Sequence, residues 1–113
     1  MPKTQKADVL PGTLELLILA TLRGEPLHGY AIAQRIQHDS DELLRAEEGS
    51  LYPALQRLLI QGWVTAKWGV SSRNRRVRVY ALTVAGQKQL SREMTRVSRA
   101  IDGIARLIKP CET

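Results

Sequence analysis

The residues with the most binding chemistry in this chain are arginines. Arg73, Arg75, Arg76 and Arg78 crowd, with Asn74 among them, into the stretch SSRNRRVR (71–78). A guanidinium is a rigid fork of N–H donors that stays charged, and it fits phosphate oxygens or the edge of a guanine. A second set stands in GSLYPALQRL (49–58): Ser50, Tyr52, Pro53, Gln56 and Arg57. Ser50 and the first N–H groups of a helix can face a phosphate. Tyr52 can donate its hydroxyl to a phosphate or lay its ring on a base edge. Gln and Arg are the common partners of adenine and guanine. Each has a plainer alternative: Tyr52 as a ring packed on a neighbouring hairpin, Arg57 as a solvated helix arginine.

Catalytic groupings are missing from the sequence. It holds no Ser/His/Asp arrangement, no phosphate-cradling Gly loop, and no paired carboxylates within a supporting motif. His28 opens a helical stretch and reads as a cap; His38, ten residues on, is at no ligand spacing from it. The expectation is a protein that is not an enzyme and uses no metal or cofactor.

Charge placement agrees with a polyanionic partner. The formal charge of +6 is unevenly spread: residues 1–66 carry six Lys/Arg against eight Asp/Glu, residues 67–109 eleven against two. Such asymmetry points first to nucleic acid and second to an anionic membrane surface. The longest apolar run, LLILATL (16–22), is too short to span a bilayer, no signal peptide is recognisable, and Cys111 is a lone cysteine. A reducing, cytoplasmic setting is the simple reading.

Five elements must position these residues. PGTLELLILATLR (11–23) is a first helix, with Thr13 as N-cap, Glu15 in the first turn and leucines all round its circumference. HGYAIAQRIQ (28–37) is a second, with Tyr30, Ile32, Ala33 and Ile36 on its inner side. HDSDELLRAEE (38–48) is an acidic loop with a short extended piece at 43–46. A third helix starts with Ser50 as N-cap and Pro53 in the first turn, buries Leu51, Leu55 and Leu58, and ends at Gly62. WVTAKWG (63–69) and RVRVYAL (76–82) alternate with period two and form a hairpin, in which Trp63 and Trp68 are packing residues. A long last helix, 83–109, is capped by Thr83.

The last helix carries a seam. Leu90, Met94, Val97, Ile101, Ile104 and Ile108 are spaced 4, 3, 4, 3 and 4, the 3.5-residue repeat of a coiled coil. With Leu14 and Leu17 of the first helix it is the expected homodimer interface; the plainer alternative is a helix folded back on its own domain. The fold class expected is mainly α with a small β-hairpin: a winged helix-turn-helix (1–82, with 1–10 a flexible tail) plus a C-terminal dimerisation helix (83–113). In such a unit the third helix enters the major groove of double-stranded DNA and the wing reaches backbone or minor groove. The acidic residues Asp39, Asp41, Glu42, Glu47 and Glu48 must then face away from phosphates.

The segments GTLELLIL, PLHGYAIAQRIQ, GSLYPALQRLLIQGWV and WGVSSRNRRVRVYALTVAGQKQL, in this order, make residues 7–108 similar to the PadR family of transcriptional regulators, in particular its short acidobacterial-type members. The resemblance implies a cytoplasmic homodimer that represses transcription at a pseudo-palindromic operator, in some members relieved by a small molecule. It places Tyr52 on the tyrosine of the family's G-[ST]-L-Y-P motif and Arg73–Arg78 on its basic wing. The chain departs in reading RVYALT where many members have a lysine and two tyrosines, and in having no tryptophan in the last helix, so no effector is assigned. The alternative function is a winged-helix interaction module whose basic wing docks an acidic protein.

Overall fold

A computed structural model describes residues 7–8 and 13–109. Of the expected tail (1–10) only Ala7–Asp8 is among them; the expected helix start at 11–12 and Cys111 lie outside the described residues. The chain order is β1 (Ala7–Asp8), α1 (Leu14–Leu22), β2 (Leu27–His28), α2 (Gly29–Asp39), β3 (Leu44–Arg45), α3 (Glu48–Gln61), β4 (Val64–Val70), β5 (Arg76–Leu82) and α4 (Val84–Ile108).

The core is built where the apolar stripes of α1, α2 and α3 meet. Leu14, Ile18, Leu19 and Leu22 of α1, Ile32 and Ile36 of α2, and Leu51, Ala54, Leu55 and Leu58 of α3 are buried. Their i, i+3 and i, i+4 spacing puts each set on one side of its helix. Leu16, Leu17 and Ala20 pack half-buried against the same core, which explains why α1 is apolar round most of its girth. Tyr30 does not join the inner side of α2 as expected; it is 58% exposed. Thr13 stands at the N-cap of α1 in helical conformation, and its side chain does not close the cap. His28 does cap α2: it is extended, and its Nδ1 accepts the Ala31 N–H at 3.3 Å.

Helix α3 begins earlier than the sequence suggests. Glu47, not Ser50, is its N-cap residue, and its carbonyl accepts from the Ser50 and Leu51 amides at 3.0 and 2.9 Å. Glu48 adds a carboxylate at the positive end of the helix dipole. Pro53 therefore lies in the second turn, where it withholds a donor from the Gly49 carbonyl; Gly49 is exposed, so solvent can serve that oxygen. The C-terminus is as expected. Gly62 adopts φ 78°, and the Trp63 amide reaches back to the Leu58 carbonyl at 3.0 Å.

The wing is one strand wider than a hairpin. Strands β4 and β5 pair antiparallel from Val64↔Leu82 to Val70↔Arg76, and β2 adds to the other edge of β5 through Leu27↔Tyr80 and His28↔Val79. This pairing ties the start of α2 to the wing. A separate parallel pair joins β1 to β3, Ala7↔Leu44 and Asp8↔Arg45, so the tail is held there by the acidic segment.

Thr83 fixes α4. Its hydroxyl donates to the Gly62 carbonyl at 2.8 Å and accepts the Gly86 amide at 2.9 Å. Gly86 lies so close that an added Cβ would stand 2.0 Å from the Trp63 carbonyl oxygen. Leu90 is buried in the chain's own core, as is Leu14, so neither offers surface to a second copy. That corrects the expected interface at those two positions. From residue 98 to 109 every residue of this helix and its cap is exposed. The 25 residues of α4 make a rod of about 37 Å that outruns the domain it is anchored on.

Candidate nucleic-acid interface

Three elements enclose a cleft of about 910 Å³. The start of α2 supplies His28, Gly29, Tyr30 and Gln34; α3 supplies Tyr52 and Gln56; the wing supplies Trp68, Ser71–Arg73, Arg75–Arg78 and Tyr80. All four wing arginines line it, and no aspartate or glutamate does. The cleft is thus positive along its wing side, and the helical walls facing the arginines present tyrosine and glutamine surface.

Local rules put these side chains there. The hairpin tip is closed by Ser71, whose backbone bonds the Arg75 carbonyl and the Asn74 amide and whose Oγ accepts the Arg73 and Arg75 amides at 3.3 and 3.2 Å. Asn74 takes the left-handed conformation the tip needs, φ 62°, a region that asparagine tolerates. Along the strands, alternation places Trp68, Arg76, Arg78 and Tyr80 on one sheet face. There the Arg76 guanidinium lies 4.3 Å from the centre of the Trp68 ring, and Arg78 lies 5.9 Å from both Trp68 and Tyr80.

Tyr52 packs at the start of α2, where the plainer reading expected the hairpin, and keeps part of its ring open to the cleft. Its ring rests on Gly29, where a Cβ would come within 2.6 Å of its hydroxyl oxygen, yet it stays 46% exposed in the cleft. Its pKa is raised above the ordinary 10.0, first by burial and then by the charges of Glu48 and Tyr80. The phenol therefore remains a proton donor at neutral pH.

The candidate reading residues of α3 divide into two stripes. Tyr52 and Gln56 face the cleft. Ser50, Pro53 and Arg57 lie within roughly 60° of one another and about 100° further round the helix, and they do not line it. Arg57 has a partner 42 residues away: its Nε donates to the Glu15 carboxylate of α1 at 2.7 Å. Asn74 shapes the tip without lining the cleft.

Tyr30, Gln34, Ser71 and Tyr80 line the cleft although nothing in the sequence marks them for it, and Trp68, expected as a packing residue, lines it too. Trp63 does pack on the core, but Trp68 is 59% exposed. The period-two register, which sets Trp68 opposite Arg78, was the available signal. Among the acidic residues, Glu47 pairs with Arg45 at 3.6 Å, Asp39 with His38 at 3.1 Å, and Glu42 accepts from Gln37. Among the described residues no cluster of His, Cys, Asp or Glu could hold a metal ion, and no helix is long and apolar enough to cross a membrane.

Comparison with known proteins gives this architecture a lineage. A regulator from Clostridium thermocellum superposes with a TM-score of 0.78 at 26% identity, covering 87% of this chain and 95% of the other. Bacillus subtilis PadR in complex with operator DNA superposes with a TM-score of 0.65 at 26% identity, covering 73% of this chain and 47% of that one. In sequence, the negative transcriptional regulator PadR of Bacillus subtilis is 27% identical over 77 residues, which are 68% of this chain but only 42% of that protein. The model of the transcriptional regulator PadR-like family matches residues 18–92. The chain, mainly helical with a small three-stranded antiparallel sheet, belongs to the PadR-like family of transcriptional regulators.

Proposed function

We propose that the protein is a sequence-specific DNA-binding repressor that acts as a homodimer on a pseudo-palindromic operator. The observation that carries this reading is the cleft: four arginines and no carboxylate line it, beside the Tyr52–Gln56 stripe of α3. Tyr52 and Gln56 reach base edges and phosphate in the major groove, while Arg73, Arg75, Arg76 and Arg78 contact phosphate or the minor groove. Ser50 and Pro53 flank the groove at the start of α3, Asn74 sets the tip that carries the arginines, and Arg57 joins only when it leaves Glu15. Repression and operator binding are supported by one relative, Bacillus subtilis PadR, which is named a negative transcriptional regulator and has a structure in complex with operator DNA.

The dimer is supported by the outer part of α4. Met94, Ile101, Ile104 and Ile108 are exposed and Val97 is partly so, at the spacing of a coiled-coil seam. Leu17, half-buried on α1, extends it. Residues 1–82 then form the DNA-binding unit and 83–113 the dimerisation helix, whose first two turns are docked through Gly86 and Leu90. A regulator of this kind works in the cytoplasm. Its two-fold symmetry calls for half-sites roughly 34–36 Å apart or a multiple of that.

The test is a binding selection from random duplex DNA. A palindromic motif with half-sites at that spacing is the expected result. A pool with no enriched sequence would overturn specific readout and turn attention to an acidic protein partner.

A further inference from the structure

Away from the wing, four arginines are tied by carboxylates: Arg35 by Glu25, Arg45 by Glu47, Arg57 by Glu15 and Arg96 by Glu93; Arg23 and Arg92 donate to the uncharged Met94 and Gln89 side chains. Each carboxylate pair cancels the charge it holds. Arg76 and Arg78 are tied differently, by the rings of Trp68 and Tyr80. A ring face orders a guanidinium without neutralising it, and it leaves the in-plane N–H donors pointing outward. Trp68 has no part in the core that would explain an indole here; it is 59% exposed at the rim of the cleft.

We infer that Trp68 is a positioning residue for phosphate contact, whose indole holds the Arg76 and Arg78 guanidinium groups ordered and still charged, and that it does not itself stack on a base. The inference rests on the DNA-binding reading above. Register supports it: Trp68 is directly opposite Arg78 and diagonal to Arg76 on the same sheet face, the two places from which a long side chain reaches a ring across a strand pair. With Arg76 at 4.3 Å over the ring, one indole face is already occupied. Two arginines two residues apart on β5 sit about 6.7 Å apart along the strand, so the ladder offers two separate cations in fixed order. Their rotamer entropy is spent during folding and not again on binding.

The experiment compares Trp68→Leu, Trp68→Phe and Arg76→Lys with the wild type, by fluorescence anisotropy on the selected duplex and on an unrelated one. Arg76→Lys keeps the charge, leaves Trp68 untouched, and stands in if Trp68→Leu fails to fold. Trp68→Leu and Arg76→Lys are expected to weaken both duplexes by the same factor, roughly three- to ten-fold, with most of the loss restored by phenylalanine. In an Arg76→Gln/Arg78→Gln background, Trp68→Leu is expected to cost nothing further. A loss confined to the selected duplex, or a full loss in that background, overturns the inference in favour of base stacking by Trp68. Wild-type affinity in both Trp68→Leu and Arg76→Lys overturns it outright. If the wild type binds neither duplex, the DNA-binding reading is overturned and the inference goes with it.

Discussion

Glu15→Gln separates two roles for Arg57. In the free chain the Arg57–Glu15 pair is 2.7 Å long, with side chains 58% and 29% exposed, and it bridges α1 and α3. Pairs at this level of exposure contribute about 0.2–1 kcal/mol, and the partly covered glutamate argues for the upper end. An Arg57 that contacts DNA must first give up that energy. Glutamine keeps the side chain's shape and removes the charge, so about 1 kcal/mol no longer opposes binding, which is close to a five-fold gain in affinity. The folded state loses the same pair, so Tm falls by roughly 4–8 °C. Both are read on one preparation, by anisotropy titration of the selected duplex and by thermal melting. Arg57→Ala serves as the control and is expected to bind more weakly than the wild type, with the gain from Glu15→Gln abolished in the double variant. A lower Tm without any gain in affinity, together with wild-type binding by Arg57→Ala, would refute the reasoning. Arg57 would then be a strut between α1 and α3.

Other perturbations probe the scaffold. Gly86→Ala drives a methyl group against the Trp63 carbonyl and is expected to cost about 1–3 kcal/mol, seen as a lower urea midpoint; an unchanged midpoint would contradict the close docking of α4. Because burial holds the Tyr52 pKa above 10.0, the unfolded chain loses that proton first as pH climbs. Its contribution to stability is complete at neutral pH and is lost as pH rises through the folded-state value, and Tyr52→Phe should flatten that alkaline loss. Equal alkaline slopes in the two proteins would place the phenol in an ordinary environment. Ile104→Glu puts a charge in the exposed seam of α4 and is expected to give a monomer by light scattering while leaving the Tm of the domain unchanged. A dimer of unchanged mass would remove the seam from the interface.

What could be read from the sequence was mostly local. The Thr83 cap, the left-handed Gly62, the His28 cap and the alternating wing strands depend on neighbours a few residues apart, and all are found. What could not be read depends on distant partners. Arg57 meets Glu15 from across the fold, β2 reaches β5 over some fifty residues, and Ala7–Asp8 finds β3. Helix α3 is capped at Glu47, three residues before the expected Ser50, because Glu47 and Glu48 hold a turn ahead of Pro53 and the proline falls in the second turn. The seam of α4 is continuous in sequence, yet Leu90 belongs to the domain's own core and Met94 begins the exposed part. Periodicity shows which side of a helix is apolar and not which neighbour covers it. The cleft itself joins residues 28 to 80 and had no linear signature; only its arginines and Tyr52–Gln56 stood out.

The most direct test of the central claim is the salt dependence of duplex binding, measured for the wild type and for single glutamine variants of Arg73, Arg75, Arg76 and Arg78. If the cleft grips the DNA backbone, log affinity falls linearly with log salt, and each arginine that touches a phosphate lowers the slope by about 0.9 when replaced. Four variants with the wild-type slope and affinity would show that DNA does not enter the cleft.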